Sequence, residues 1–188
     1  MIARYLTGFV GFACLTTQAN AQMTPTQRTF CNEFNTIYEA APSGFNSLKG
    51  SVNRTSGEVK YYASTLRLFG FESCQIRESA GSIIQFANLT CVWSLPRDTF
   101  SEAEVDRFSA LENVIELCLH EANIRHVQYE NDYQAKLKNN YRHGAVVEWD
   151  MGYERSTEAW DLHELKLEYH ERYSDRVRID FVARKYAR

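Results

Sequence analysis

The sequence lacks any apolar run long enough to cross a membrane. Its most apolar stretch, Tyr5–Leu15, covers about 11 residues, whereas a transmembrane helix needs about 20. No later stretch approaches that length. These absences exclude a chain anchored by its own transmembrane helix, and we expect the main part of the protein to be soluble.

The sequence also lacks the short motifs of common enzyme classes. It contains no Gly-rich phosphate loop, H-E-x-x-H, G-x-S-x-G, S-x-x-K or C-x-x-C. No two histidines have the i, i+4 spacing of a helical metal site, so we interpret all of them as surface residues and expect no metal or cofactor. The histidines are His120, His126, His143, His163 and His170.

An excess of positive charge is absent as well. The formal net charge is −3, with 21 basic and 24 acidic residues. Proteins that bind nucleic acid through its phosphates usually carry a strongly basic surface. We therefore expect no nucleic acid as a partner.

Residues 1–21 have the pattern of a secretory signal peptide. One positive charge at Arg4 precedes the apolar run, and Ala19-Asn20-Ala21 is a small-x-small cleavage sequence. We expect cleavage after Ala21, a single domain over residues 22–188, and a periplasmic or secreted bacterial protein. The alternative is lipidation at Cys14, although bulky Phe12 stands where lipoprotein signals have a small residue.

Four cysteines follow the predicted signal: Cys31, Cys74, Cys91 and Cys118. In an exported chain they are expected to form two disulfides, whereas zinc sites usually bring two ligands close in sequence. Three pairings are possible. We favour Cys74–Cys91, which would lie opposite each other in a hairpin, and Cys31–Cys118, which both lie on predicted helices.

Hydrophobic periodicity predicts an α+β fold. We expect one domain with a mostly antiparallel sheet of about six strands and two helices on one face, in the order α-β-β-β-α-β-β-β. No internal repeat is visible. The predicted helices are Thr26–Ala41 and residues 102–120. The predicted strands are Glu58–Phe69, Phe71–Glu78, Ile83–Leu95, Ala145–Glu154 and a final hairpin on either side of Tyr173-Ser174-Asp175. Two segments are predicted to be loops, Phe45–Gly57 and Lys136–His143, and Ile124–Tyr133 is ambiguous.

The chain is rich in aromatic residues, with 11 Tyr, 11 Phe and 3 Trp. Most should fill the core, but Tyr and Trp are also enriched where proteins bind one another. We therefore name Trp149, Tyr153, Tyr169 and Tyr173 as a possible binding surface. The basic residues near the end alternate with acids, which predicts cross-strand ion pairs.

These patterns favour a non-enzymatic binding protein of the cell envelope, whose partner is another envelope or secreted protein. The alternative is a small envelope hydrolase that uses a histidine or carboxylates, such as Glu148 and Asp150 on one face of a predicted strand. A third possibility is a carrier of a small ligand. Its mark would be an apolar cavity between the helices and the sheet.

Overall fold

A computed structural model describes residues 23–81, 83–94, 102–131, 146–152, 160–169 and 176–186, with the backbone alone at 102–105, 130, 131 and 169. These residues form two helices and eight strands in one antiparallel sheet, so the predicted α+β class is confirmed. The elements are α1 (Pro25–Ala40), β1 (Lys49–Ser56), β2 (Val59–Ser64), β3 (Ser73–Ser79), β4 (Ile84–Ser94), α2 (Glu102–Glu121), β5 (Val127–Asn131), β6 (Val146–Asp150), β7 (Asp161–Tyr169) and β8 (Arg176–Tyr186).

The sheet has eight strands rather than the predicted six because two polar segments also form strands. β1 lies within Phe45–Gly57, which was wrongly predicted to be a loop, and β5 lies within the ambiguous Ile124–Tyr133. From Ser51 onward the side chains of β1 are exposed. β1 is therefore held in place by its backbone hydrogen bonds to β2. Hydrophobic periodicity reports only on side chains, so it gives no sign of this pairing.

Each half of the described chain supplies one helix followed by four strands. The strand order is β1-β2-β3-β4-β8-β7-β6-β5, so the last strand of each half lies at the centre of the sheet. There β4 and β8 pair over their full length, with Leu89 opposite Phe181. The two halves thus share a layout although the sequence shows no internal repeat.

Helix α1 begins at a capping box. The Thr24 hydroxyl accepts from the Gln27 backbone N–H, and the Gln27 side chain accepts from the Thr24 backbone N–H. Pro25 occupies the first turn, where its missing N–H costs nothing. The chain leaves the helix through a short turn that ends at Gly44, whose φ of +63° favours glycine.

The core lies between the two helices and one face of the sheet. Phe34 of α1 packs against Phe181 of β8, with ring centroids 5.4 Å apart, and α2 adds Phe108 and Ile115. Burying a side chain of this size contributes about 1.5–3 kcal/mol. Alternate strand residues complete the core; on the central strands they are Ala87, Leu89, Cys91, Trp93, Val177, Ile179, Phe181 and Ala183.

Two disulfides join the elements in the pairing that the sequence favoured. Cys31 of α1 bonds Cys118 of α2, with the Cα atoms 5.1 Å apart. Cys74 and Cys91 lie directly opposite each other on β3 and β4 and are bonded, with a Cα–Cα distance of 4.0 Å. Neither described helix is both long and apolar enough to span a bilayer. The predicted signal peptide, its cleavage site and Cys14 lie outside the described residues.

Candidate functional site

The face of the sheet that points away from the helices carries rows of polar side chains. The strand register places Glu148, Lys166, Asp180 and Thr90 opposite one another on β6, β7, β8 and β4. Residues opposite each other in register point to the same side of a sheet. These four side chains therefore form one row across the central strands.

The charged side chains of this row and the next form one ion-pair network. It consists of Glu148, Lys166, Glu168, Arg178 and Asp180. The Lys166 Nζ lies 2.9 Å from a Glu168 oxygen and 3.3 Å from a Glu148 oxygen. The Arg178 guanidinium lies 2.8 Å from Asp180 and 3.2 Å from Glu168. The side chains of Lys166 and Arg178 thus form ion pairs with all three carboxylates of the network.

Two carboxylates of this network are buried although they lie on the polar face. Glu168 and Asp180 are each 7% exposed, and Asp180 also accepts a hydrogen bond from the Thr90 hydroxyl. Burial raises the pKa of Asp180, against the opposing effects of Arg178 and Thr90. Asp180 therefore holds a proton to a higher pH than an ordinary aspartate does.

At Lys166 the effect of the neighbouring charges outweighs the effect of burial on the pKa. Burial disfavours its charged form, but the hydrogen bonds and charges of Glu168 and Glu148 outweigh burial and raise its pKa. The ammonium is therefore held firmly in the charged state. Its positive charge stabilises the two acids beside it.

This face is concave and encloses a volume of about 770 Å³. The Asn88 Oδ1 atom is buried there, and no described residue donates a hydrogen bond to it. Arg77, on the neighbouring strand, is exposed. The walls come from six strands and include Asn53, Tyr61, Gln75, Arg77, Asn88, Thr90, Glu164, Lys166, Arg178 and Asp180.

A third row across the polar face has cations towards one end and carboxylates at the other. Successive strand pairs align Arg54, Tyr61 and Arg77 with Asn88 near the centre. The row continues through Val182 to Glu164 and Asp150. The Arg54 guanidinium lies over the Tyr61 ring, 4.5 Å from its centroid. Within this row, the cations lie over β1 and β3 and the carboxylates over β6 and β7, where Glu164 is paired with Arg184 at 3.7 Å.

The binding surface predicted from aromatic residues is wrong at Trp149. Its side chain is completely buried on the helix side of β6, where the indole N–H donates to Glu116. The alternation of β6 put Trp149 on one face, but only packing against α2 decides that this face is the core. Tyr153 and Tyr173 lie outside the described residues, as does the side chain of Tyr169.

The carboxylates considered for a hydrolase are already occupied by other groups. Glu148 is paired with Lys166, and an Asp150 oxygen accepts from the Gly152 backbone N–H at 2.8 Å. Among the histidines, His126 lies 3.0 Å from Glu116, while His143 and His170 fall outside the described residues. Within the described part of the chain, no three metal-ligating side chains cluster.

Sequence reasoning predicted cross-strand ion pairs in the last hairpin but not the burial of Glu168 and Asp180. The sequence feature that indicates the ion-pair network is the recurrence of opposite charges at facing positions. Lys166 lies opposite Asp180, and Glu168 lies opposite Arg178. Burial could not be read from that pattern, because it also depends on residues distant in sequence, such as Thr90 of β4, which donates to Asp180.

Comparisons with known protein families, with curated proteins and with solved structures found no match for this chain.

Proposed function

We propose that this protein is a non-enzymatic binding protein of the bacterial cell envelope that holds another envelope or secreted protein against the polar face of its sheet. The observation that carries the proposal is the concave polar face, on which exposed Arg77 lies beside the buried Asn88 Oδ1 atom. The two disulfides fit the oxidising compartments in which such bonds persist.

The dimensions of the concavity favour an extended protein segment as the ligand. Its walls reach from β1 across the sheet to β7, and six strands spaced about 4.8 Å apart span roughly 24 Å. The partner should place acidic groups over the exposed side chains of Arg54 and Arg77. Exposed ion pairs contribute little affinity each, so these charges orient the partner rather than hold it alone.

Site-specific photo-crosslinking in the exporting bacterium tests this proposal. A photoreactive amino acid at Gln75, in the middle of the polar face, should give a crosslinked protein, whereas the same residue at exposed Asn32 on α1 should not. Reversing one charge of the face by Arg77→Glu should weaken the Gln75 crosslink, and Arg28→Glu on α1 should leave it unchanged. Crosslinks of equal strength from both positions, or none from Gln75, would refute the proposal.

A hydrolase is the second candidate, and Asp180 is the observation that favours it. A carboxyl group with a raised pKa beside the second buried carboxylate Glu168 resembles the acid pairs of glycosidases. We place it second because Arg178 and Lys166 already bind these acids. Release of soluble fragments from purified cell-wall polymer, lost in Asp180→Asn but retained in the exposed-acid control Asp106→Asn, would reverse this order.

A further inference from the structure

A second recess lies on the helix side of the sheet, where the end of β4 meets both helices. Its volume is about 180 Å³. The recess does not overlap the polar face, since the two share no lining residue. Its walls are mainly apolar; the lining residues are Thr26, Gln27, Phe30, Phe69, Gly70, Phe71, Trp93, Arg107, Ala110, Leu111 and Val114.

Trp93 lines this recess and carries a buried indole N–H. Trp93 is 3% exposed, and no described residue accepts a hydrogen bond from its Nε1. An indole N–H can only donate, so a buried one without a partner is unfavourable. An acceptor brought by a ligand would relieve this cost.

Arg107 adds a positive charge beside the indole. Its guanidinium lies 4.2 Å from the centroid of a Trp93 ring and donates to the Gly70 carbonyl at 3.0 Å. It is the only charged side chain among the described lining residues. The nearby acid Glu72 accepts hydrogen bonds from the backbone N–H and the hydroxyl of Ser94, and it also attracts Arg107 electrostatically.

We propose that this recess binds a small monocarboxylate with an aromatic or branched aliphatic body. The apolar walls would enclose the body, and the carboxylate would meet Arg107 and the Trp93 N–H. The size is suitable, because an apolar cavity of about 150 Å³ accommodates benzene. Exposed Phe69, at 48%, gains a partner when such a ligand binds. This site is independent of the proposed partner surface on the polar face.

The first test compares phenylacetate with phenylacetamide, which has nearly the same shape but no charge. Titration calorimetry on the full mature chain should show phenylacetate binding about threefold to fivefold more tightly, as expected for an exposed arginine. Arg107→Gln should remove that difference. Equal affinity for the two compounds in the unaltered protein would overturn the assignment of a carboxylate ligand.

The second test locates the ligand. In nitrogen-15 NMR spectra, phenylacetate should shift the indole N–H resonance of Trp93, which Trp93→Phe identifies by its loss. Ala110→Leu should fill the recess and abolish the shift, whereas Asn113→Leu, at an exposed position outside the recess on the same helix, should preserve it. A Trp93 resonance that stays in place at millimolar phenylacetate would overturn the proposal, as would equal binding to both leucine variants.

Discussion

The indole N–H of Trp149 donates a hydrogen bond to the carboxylate of Glu116 and thereby joins β6 to α2. The other Glu116 oxygen lies 3.0 Å from the Nε2 atom of His126, in the segment that follows the helix. One acid thus meets polar groups from two later elements of the second half. A residue expected to recognise a partner instead fastens the sheet to the helix layer.

Removing the acceptor at Glu116 should destabilise the fold. Glu116→Leu leaves the buried Trp149 N–H unpaired, so the free energy of unfolding should fall by about 1–3 kcal/mol. Glu116→Gln keeps an oxygen that can accept and should cost less. Urea unfolding followed by tryptophan fluorescence measures both values. The exposed Glu121→Leu variant is the control. If its free energy of unfolding falls as much as that of Glu116→Leu, the hydrogen bond is not the cause of the loss.

The two disulfides should differ in their contribution to stability. Cys31–Cys118 closes a loop with a sequence separation of 87, whereas Cys74–Cys91 closes one of 17. The chain-entropy relation gives about 4–5 kcal/mol for the longer loop and about 3 kcal/mol for the shorter one. The paired alanine variants Cys31→Ala/Cys118→Ala and Cys74→Ala/Cys91→Ala should show this order in denaturant unfolding. The reverse order would mean that native packing, not loop closure, sets the cost.

Asp180 should give stability an unusual dependence on pH. Because burial raises its pKa in the folded protein, the folded state keeps this proton above about pH 3.9, where the unfolded chain releases it. The contribution of Asp180 to stability is therefore greatest below that pH and is lost as the pH rises through the folded pKa.

The comparison of wild type with Asp180→Asn across pH 3–7 measures this contribution. The difference in unfolding free energy, wild type minus variant, should fall as the pH rises above about 3.9 and then level off. Asp106→Asn, at an exposed position on α2, is the matched control for replacing one carboxyl group by an amide. A difference that grows with pH would mean that Arg178 holds Asp180 as an anion despite its burial.

Gly44 and Gly57 form a matched pair for testing how closely the Trp160 ring packs against the backbone at Gly44. Both have positive φ, +63° and +58°, but a Cβ on Gly44 would lie 2.8 Å from the Trp160 ring, whereas nothing lies within 4 Å of one on Gly57. Either change to alanine should cost about 1–2 kcal/mol for the left-handed backbone. Gly44→Ala should cost about 1–3 kcal/mol more, because the ring must move. Thermal unfolding of both variants tests this, and equal losses would show that Trp160 yields freely.

Much of the fold follows from local sequence signals. The spacing of Phe30, Phe34 and Ile37 places α1, since it depends only on helix geometry, whereas the cap at Thr24 was not predicted. The alternation at Val177, Ile179 and Phe181 likewise places β8. By contrast, β1 carries exposed polar side chains and lies at an edge of the sheet. Its extended conformation depends on pairing with β2, which hydrophobic periodicity cannot reveal.

The candidate site could be predicted only in part. Alternation in the last hairpin shows that Lys166, Glu168, Arg178 and Asp180 share the face opposite the apolar residues, which is a local property of strands. That Glu168 and Asp180 become buried, and that Arg77 and Asn88 line one concavity with Asp180, depends on β4 pairing with β8. This pairing joins residues about 90 positions apart, as for Thr90 and Asp180.

The sequence by itself determined the class of the fold, the type of its main elements and the favoured pairing of its cysteines, because each depends on spacing along the chain. Only the tertiary structure decided which face of β6 is the core, which acids are buried, and where the two recesses lie. Those properties arise where distant segments meet, and the free energy of packing them is not encoded in any one segment.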